Sequence, residues 1–271
     1  MRKDLKDLTQ MLNQDIGFED ITTRALIDAD LQIKARIISK QEGVIAGAEL
    51  LSSLLEEFGI STGNIKADGT HVKLDETILD MEGEARTILT MERTILNLLM
   101  RMSGIATATS QMVQKARERN PDIRVAATRK PTPGLQFWEK EAVRVGGGDA
   151  VLNKDNHLAL VGDVELAIRK ARQYASFTKK IEVEVENLQD AISAAEAGAD
   201  IIMLDNMPVD EIERVLGALI EKGLRDKVLI EISGGINPDN IAEYAGTGAD
   251  IVSSGYLTHS AGVLDLSLEI R

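Results

Sequence analysis

The sequence predicts an α/β fold whose carboxyl-terminal part is built on a parallel sheet. Short apolar segments, typical of buried strands, alternate there with amphipathic segments at helical spacing. The predicted strands are residues 124–128, 150–153, 181–185, 201–204, 228–232 and 251–254. Strands joined by helices run parallel, in an open sheet or in a closed barrel. The related segments A-G-A-D-I-I and T-G-A-D-I-V each place a glycine at a helix end before a strand, which favours a barrel.

Helices are predicted between these strands, and several carry residues that suit a helix end. The predicted helices are residues 164–174, 188–197, 209–222 and 238–246. Asn187 suits an N-cap, and Gly198 and Gly246 suit C-caps. Upstream, residues 25–90 contain alternating segments such as 32–38, which predict half-exposed strands. Residues 93–119 carry apolar side chains at helical spacing and predict one long helix.

The composition predicts a soluble cytosolic protein and excludes several kinds of site. The chain has 271 residues, 44% apolar and 28% charged, as in an ordinary globular protein. It has no cysteine, which excludes disulfides, thiolate metal sites and cysteine nucleophiles. The charged start M-R-K-D-L-K-D-L-T-Q is unlike a signal peptide, and no apolar run is long enough for a membrane span. A formal charge of −13 argues against broad nucleic-acid binding, so a local cluster of cations indicates an anionic small ligand.

Cations follow the first two predicted strands of the second part. The carboxyl ends of parallel strands form the ligand site in barrels and in open α/β sheets. Arg129 and Lys130 follow the first strand, and Lys154 follows the second. A single cation at a strand end would indicate only a surface salt bridge. Three of them beside a phosphate-binding turn predict a polyanionic substrate.

Glycine turns follow the last two predicted strands. Ser233-Gly234-Gly235 comes after one strand and Gly255 after the other. Glycine lets backbone N–H groups approach an anion closely, and the start of a helix adds a favourable dipole. Each motif alone fits a simple tight turn. Paired at consecutive strand ends, where barrel enzymes commonly hold phosphate, they predict a phosphate site.

Carboxylates form the acidic counterpart. Glu182 and Glu184 alternate within one predicted strand and so point to the same face, and Asp205 follows the next strand. Glu184 and Asp205 are candidate ligands of Mg²⁺ together with substrate oxygens, or they neutralise the lysines without a metal. The residues leave both readings open. His157 and His259 lie near strand ends, and a structural hydrogen bond is the role expected of each.

An ordered series of motifs gives the chain a family resemblance. The motifs are D-I-G at 15–17, D-I-T-T at 20–23, E-R-T-I-L-N at 92–97, S-G-I-A-T at 103–107, T-R-K-P-T-P-G at 128–134, K-D-N-H at 154–157, E-V-E-V at 182–185, L-D-N at 204–206, S-G-G at 233–235 and L-T-H-S at 257–260. Any one of them is weak, but the series is very specific. The chain resembles the quinolinate phosphoribosyltransferases, also called carboxylating nicotinate-nucleotide pyrophosphorylases, along nearly its whole length.

The resemblance implies two domains and one reaction. It implies an N-terminal α/β sandwich, residues 1–105, against which the C-terminal tail is expected to pack, and an incomplete α/β (TIM-like) barrel, residues 106–271. The implied reaction converts quinolinate and phosphoribosyl pyrophosphate to nicotinate mononucleotide, pyrophosphate and CO₂ in de novo NAD synthesis. The chain would work in the cytoplasm with Mg²⁺ and without nucleic-acid or membrane partners.

The resemblance also implies roles for particular residues. The catalytic residues that it implies are Lys130, Lys154, Glu184 and Asp205, of which Glu184 and Asp205 lie near the ribose and Mg²⁺. The substrate-binding residues that it implies are Arg93, Arg129, Lys130, Lys154, Ser233, Gly234, Gly235 and Gly255, with the last four at the 5′-phosphate. Arg93 belongs to the E-R-T motif, whose arginine reaches the neighbouring subunit's site, so a homodimer is the minimum assembly implied.

The sequence departs from the family pattern after its triple glycine. The family has a short loop there with an Asn-His-Arg or Pro-His-Arg motif, whose His and Arg help to bind quinolinate. Here Gly146-Gly147-Gly148 continues directly into Asp149. One alternative is therefore a related phosphoribosyltransferase that acts on nicotinate or another heteroaromatic acid. Two further alternatives are a Schiff-base aldolase with Lys154 as nucleophile and a non-catalytic sensor of phosphate ligands.

Overall fold

The structure is a computed structural model that describes residues 3–17, 20–149, 164–174, 176 and 178–271. The chain divides into two compact units. The first is formed by the chain up to Thr107 with Phe137–Gly146 and Ala261–Arg271, and the second by Ala108–Gln136 and Gly147–Ser260. Among the described residues, no helix is both long enough and apolar enough to cross a membrane.

Helices and strands alternate in the second unit and are more mixed in the first. The elements are α1 (Lys3–Ile16), α2 (Ile21–Leu26), β1 (Gln32–Ser39), β2 (Gly43–Val44), α3 (Ala48–Glu57), β3 (Ser61–Gly63), β4 (His71–Val72), β5 (Thr77–Glu84), α4 (Ala85–Arg117), β6 (Arg124–Ala127), α5 (Gln136–Val145), α6 (Val164–Tyr174), β7 (Glu182–Val185), α7 (Leu188–Glu196), β8 (Ile201–Asp205), α8 (Val209–Glu221), β9 (Leu229–Ser233), α9 (Ile241–Ala245), β10 (Ile251–Ser254), α10 (Tyr256–His259) and β11 (Leu266–Ile270).

An antiparallel sheet in the order β11-β1-β5-β3 organises the first unit. The alternation that predicted a strand at 32–38 is confirmed by β1, in which Ala35 and Ile37 are buried. Arg36 alternates with them and forms an ion pair of 2.8 Å with Glu269 of β11. A small second sheet pairs β2 with β4.

A parallel sheet in the order β6-β10-β9-β8-β7 organises the second unit. Five of the six predicted strands are confirmed, each with ends within one residue of the prediction. The predicted strand at 150–153 lies outside the described residues. The α/β class is therefore confirmed, with the parallel sheet in the part of the chain where it was expected.

The helix ends show where local sequence was informative. Asn187 caps α7 as predicted, because its side chain accepts a hydrogen bond from the Asp190 N–H at 2.9 Å. Helix α4 begins at Ala85 and not at residue 93, since β5 leads straight into it and the Ala85 N–H is bonded to the Leu31 carbonyl. Helix α9 is shorter than the predicted 238–246, because Asn240 accepts from the Asn237 N–H and holds a turn ahead of it.

Two aspartates perform the same task where strands of the parallel sheet begin. Asp200 accepts a hydrogen bond from the Ile181 N–H at 2.7 Å, and Asp250 accepts one from the Ile230 N–H at 2.7 Å. Each is braced by an arginine, Arg172 at 3.1 Å and Arg225 at 3.0 Å. The repeated G-A-D segments thus fix the amino-terminal edge of the sheet, opposite the edge at which a ligand site is expected.

Candidate active site

The register of the parallel sheet places polar residues of five strands on one face. Side chains of residues that pair in a parallel sheet lie on the same face, and successive residues alternate between faces. The upper row, next to the carboxyl edge, consists of Ala126, Ser253, Ser233 and Asp205. The lower row, one pair further in, consists of Arg124, Ile251, Glu231, Met203 and Glu184. We call the face that carries both rows the polar face.

The opposite face of this sheet is apolar and packs inside the protein. It carries buried valine, isoleucine and leucine side chains, among them Val125, Val252, Ile230, Ile202 and Val183. Burial of this face fixes the register, because a slip by one residue would turn every side chain to the other side. The polar rows are therefore held in place by the apolar residues between them.

The predicted carboxylates share the polar face. Glu184 is exposed in the lower row, and Asp205 is half-buried at the end of the upper row. Asp205 accepts a hydrogen bond from Asn206 Nδ2 at 2.6 Å, which orients one of its oxygens. Glu182 lies on the same face as Glu184, as their spacing predicted.

The Ser233-Gly234-Gly235 turn is built around a very close approach to Asn206. The Asn206 N–H donates to the Ser233 carbonyl at 2.8 Å. A Cβ on Gly234 would lie 2.3 Å from Asn206 Oδ1 and 2.8 Å from its backbone nitrogen. Gly234 has φ +105° and Gly235 φ +63°, so both adopt backbone conformations that favour glycine. This turn needs glycine at Gly234 for space as well as for conformation.

Gly255 also brings chain segments close together. A Cβ at this position would lie 2.5 Å from His259 Nε2 and 3.3 Å from Thr128 Oγ1. The imidazole of His259 therefore lies against Gly255, beside the end of β6, while its Nδ1 is hydrogen-bonded to Ser260 Oγ at 2.6 Å. His259 forms the structural hydrogen bond that the sequence predicted, and it also stands at the carboxyl edge. The L-T-H-S motif was the signal that could have marked it as a site residue.

The predicted cations are placed unequally. Arg129 and Lys130 follow β6 after Thr128 and are exposed at the carboxyl edge. The Lys130 carbonyl accepts a hydrogen bond from Thr258 Oγ1 at 3.2 Å, which ties this segment to α10. Arg93 is exposed on α4 in the first unit, away in the chain from the other cations. Lys154 and His157 lie outside the described residues.

Glu231 is a polar-face residue that sequence reasoning missed. It lies in the lower row in the middle of β9 and is only 3% exposed, between the buried Ile230 and Ile232. A carboxylate in an otherwise apolar strand is rare unless it is paired, because burying a charge is costly. That single charge inside L-I-E-I-S was the signal that could have identified it.

The arrangement suits an anionic ligand better than a protein-bound metal cluster. Cations and glycine turns surround the carboxyl edge, where backbone N–H groups can meet phosphate oxygens. No group of three or more His, Asp or Glu residues within the described ranges could hold a metal ion. Among the carboxylates of the polar face, Glu184 and Asp205 are the two candidates for Mg²⁺, which uses one or two carboxylates when phosphates complete its shell.

Comparison with known proteins gives one consistent family. The family model described as "Quinolinate phosphoribosyl transferase, N-terminal domain" matches residues 20–103, and the model of the corresponding C-terminal domain matches residues 105–269. A probable nicotinate-nucleotide pyrophosphorylase [carboxylating] from Methanothermobacter thermautotrophicus is 53% identical over 272 residues, covering 97% of this chain and 98% of that protein. The human nicotinate-nucleotide pyrophosphorylase [carboxylating] is 37% identical, covering 91% of this chain and 85% of the human one.

Solved structures agree with these relatives. NadC from Streptococcus pyogenes superposes with a TM-score of 0.89 at 39% identity, covering 98% of this chain and 95% of that one. The nicotinate-nucleotide pyrophosphorylase from Francisella tularensis superposes with a TM-score of 0.88 at 32% identity, covering 99% and 96%. The sequence and the fold thus point to the same family along nearly the whole chain.

Proposed function

We propose a function that follows from family membership, because the chain belongs to the quinolinate phosphoribosyltransferase family. The chain transfers a phosphoribosyl group from phosphoribosyl pyrophosphate to quinolinate and yields nicotinate mononucleotide, pyrophosphate and CO₂ for de novo NAD synthesis. The observation that supports this proposal is the carboxyl edge of the parallel sheet, where Arg129, Lys130, Asp205 and the two glycine turns lie. That edge occurs in a chain 53% identical to a carboxylating relative.

Binding is assigned to the cations and to the glycine turns. Arg129 suits a bidentate contact with a quinolinate carboxylate, while Lys130 acts as a point charge for the pyrophosphate. Lys154 is proposed beside them, although it lies outside the described residues. The turns at Ser233–Gly235 and at Gly255 offer N–H groups to the 5′-phosphate. Both substrates are polyanions, so these groups concentrate them locally on a protein of net charge −13.

Glu184 and Asp205 are assigned to the ribose. As the bond from the ribose to pyrophosphate breaks, positive charge develops on the sugar, and the pyridine nitrogen forms the new bond to it. Two carboxylates on the polar face stabilise that charge electrostatically. Asp205 is held in orientation by Asn206, so little reorganisation is needed during the reaction.

Decarboxylation follows from the charge that the first step creates on the ring. The carboxylate next to the ring nitrogen leaves as CO₂, and its electron pair remains on the ring carbon, where the pyridinium stabilises it. A proton then adds to that carbon. The site's task in this step is to position the ring and to compensate its charge, with Arg129, Lys130 and Lys154 as the proposed cations.

Mg²⁺ is proposed as the cofactor, held by Glu184 and Asp205 together with substrate oxygens. The two carboxylates fit this use, since Mg²⁺ is commonly bound by one or two carboxylates plus phosphates. When bound, Mg²⁺ supplies neutralisation of the pyrophosphate charge. A homodimer is also proposed, in which Arg93 serves the neighbouring subunit's site, and the cytoplasm is the proposed compartment.

A second candidate is turnover of nicotinate or another heteroaromatic acid, without CO₂ release from it. The observation that favours it is the direct passage from Gly148 to Asp149, where the family carries its His-Arg loop. The 272-residue alignment with the Methanothermobacter relative is longer than this chain while covering 97% of it, so part of that relative lies opposite gaps. Loss of the loop would remove contacts to the second carboxylate of quinolinate.

The test is turnover of the full chain with phosphoribosyl pyrophosphate and Mg²⁺, with quinolinate and nicotinate offered separately. Nicotinate mononucleotide with CO₂ from quinolinate is the expected result. Turnover of nicotinate alone would favour the second candidate, and no turnover with either acid would contradict both.

A matched pair of variants tests the role of the carboxylates. Asp205→Asn removes a charge from the polar face and is expected to lower kcat by about 100-fold or more, as loss of one electrostatic contact to a transition state does. Asp210→Asn, on the exposed first turn of α8, is expected to leave kcat unchanged. Equal kcat values for both variants would remove Asp205 from the mechanism.

A further inference from the structure

Two adjacent serines in β10 are equally buried but differ in their hydrogen bonding. Ser253 and Ser254 are each 1% exposed. Ser254 Oγ donates to the Ile236 carbonyl at 2.5 Å and accepts from the Tyr256 N–H at 3.2 Å. Ser253 Oγ has no hydrogen-bond partner within the part of the chain that the structure describes. Buried hydroxyls are nearly always bonded, so the difference between these neighbours calls for a reason.

Ser253 lies where a ligand oxygen would supply the missing partner. It belongs to the upper row between Ala126 and Ser233, and Gly255 follows two residues later, just beyond the end of β10. Ala126 beside it has a small side chain, and Gly255 has none. Thr128 Oγ1, which lies 3.3 Å from the Cβ position of Gly255, is likewise buried and has no partner among the described residues. Two hydroxyls without partners thus adjoin one glycine turn.

We propose that Ser253 is a positioning residue for the phosphate bound at the Gly255 turn. Its hydroxyl donates a hydrogen bond to a phosphate oxygen, directly or through one internal water, once the ligand is present. The inference rests on the proposed function, because it takes the 5′-phosphate of phosphoribosyl pyrophosphate as the ligand. A buried hydroxyl without a partner destabilises the ligand-free protein, whereas a hydrogen bond to a charged oxygen is among the stronger ones.

The proposal makes stability and affinity change in opposite directions. Ser253→Ala removes a hydroxyl without a partner, so the Tm of the ligand-free protein is expected to stay the same or to rise by about 1–2 °C. Binding of phosphoribosyl pyrophosphate, measured by calorimetry with Mg²⁺ and without an acid substrate, is expected to weaken about tenfold. The KM for the same substrate should rise by a similar factor, while the KM for the acid should not change.

Ser254→Ala is the matched control, since it alters the same strand by the same atom. It breaks two hydrogen bonds to the backbone, so its Tm is expected to fall, while its affinity for phosphoribosyl pyrophosphate is expected to match that of the unmodified protein. A purely structural role for Ser253 would give Ser253→Ala this same pattern. That result would overturn the proposal, as would unchanged affinity and KM in Ser253→Ala.

The unmodified chain, assayed alongside, separates the two hypotheses. If it turns over quinolinate and binds phosphoribosyl pyrophosphate but Ser253→Ala binds equally well, only the role of Ser253 is wrong. If the unmodified chain neither binds phosphoribosyl pyrophosphate nor turns over, both the proposed function and the role of Ser253 are wrong.

Discussion

Replacing Gly234 by alanine is a direct test of how the ends of β8 and β9 form the proposed phosphate turn. The backbone φ of +105° is one that an alanine adopts only with strain of about 1–3 kcal/mol. The new Cβ would lie 2.3 Å from Asn206 Oδ1 and 2.8 Å from the Asn206 backbone nitrogen. Inserting a methyl group into such a contact costs about 1–3 kcal/mol more. We therefore expect Gly234→Ala to lower the free energy of unfolding by about 2–6 kcal/mol.

Gly235→Ala is the matched control within the same turn. Gly235 has φ +63°, in the left-handed region, and apart from its chain neighbours no atom of the described residues lies within 4 Å of its Cβ position. Alanine there carries only the conformational cost of about 1–2 kcal/mol. Urea denaturation of both variants measures the difference, and steady-state kinetics measures the KM for phosphoribosyl pyrophosphate. Gly234→Ala should raise that KM more, because it displaces Asn206, which orients Asp205 and donates to the Ser233 carbonyl.

Equal losses of stability in the two variants would refute this reasoning. Such a result would mean that the contact between Gly234 and Asn206 relaxes at no cost, and that backbone conformation alone explains the glycines. An unchanged KM for phosphoribosyl pyrophosphate in Gly234→Ala would show that this turn does not take part in binding that substrate.

Two further predictions concern stability away from the carboxyl edge. Asp250→Ala removes the acceptor of the Ile230 N–H and also the ion-pair partner of Arg225, whose side chain is only 19% exposed. Urea denaturation should therefore show that the free energy of unfolding falls by about 2–3 kcal/mol. A smaller fall than that caused by Asp200→Ala, at the more exposed Asp200–Arg172 pair, would contradict this. Hydrogen bonds from Arg36 lower the pKa of Glu269 below its ordinary value of 4.5, so this carboxylate stabilises the fold above pH 4.5, and the contribution is lost as the pH falls through the lowered pKa. Acid unfolding followed by circular dichroism should therefore show a smaller pH dependence in Glu269→Gln, and an identical acid profile would argue against the pair.

Local sequence was sufficient for most of the second unit. The apolar segments at 201–204 and 251–254 predicted β8 and β10, because a short apolar run between turn residues is typical of a buried strand. Asn187 identified the start of α7 because a helix N-terminus needs a side-chain acceptor. Local sequence was less informative at α4, whose beginning depends on a bond from Ala85 to the distant Leu31.

The candidate site was predicted in its parts but not in its arrangement. Residues that end a strand or follow it closely, such as Asp205 and Arg129, could be found because chain order alone places them at the carboxyl edge. Glu231 and His259 each carry a signal in the sequence, a charge within an apolar strand and the L-T-H-S motif. Their places on the polar face and against Gly255 could not be predicted, since these depend on neighbouring strands. The roles that were assigned to Lys154 stay predictions.

Local sequence was enough to predict the α/β class, the positions of the five described parallel strands and the motifs that define the family. Each of these depends on residues that are neighbours in the chain. The folded structure was needed to place β10 between β6 and β9, and hence to show which side chains stand beside one another. It also distinguished Ser253 from Ser254, which the sequence presents as equivalent. The physical reason is that strand order and register result from packing the whole apolar face of the sheet, an interaction between residues far apart in sequence.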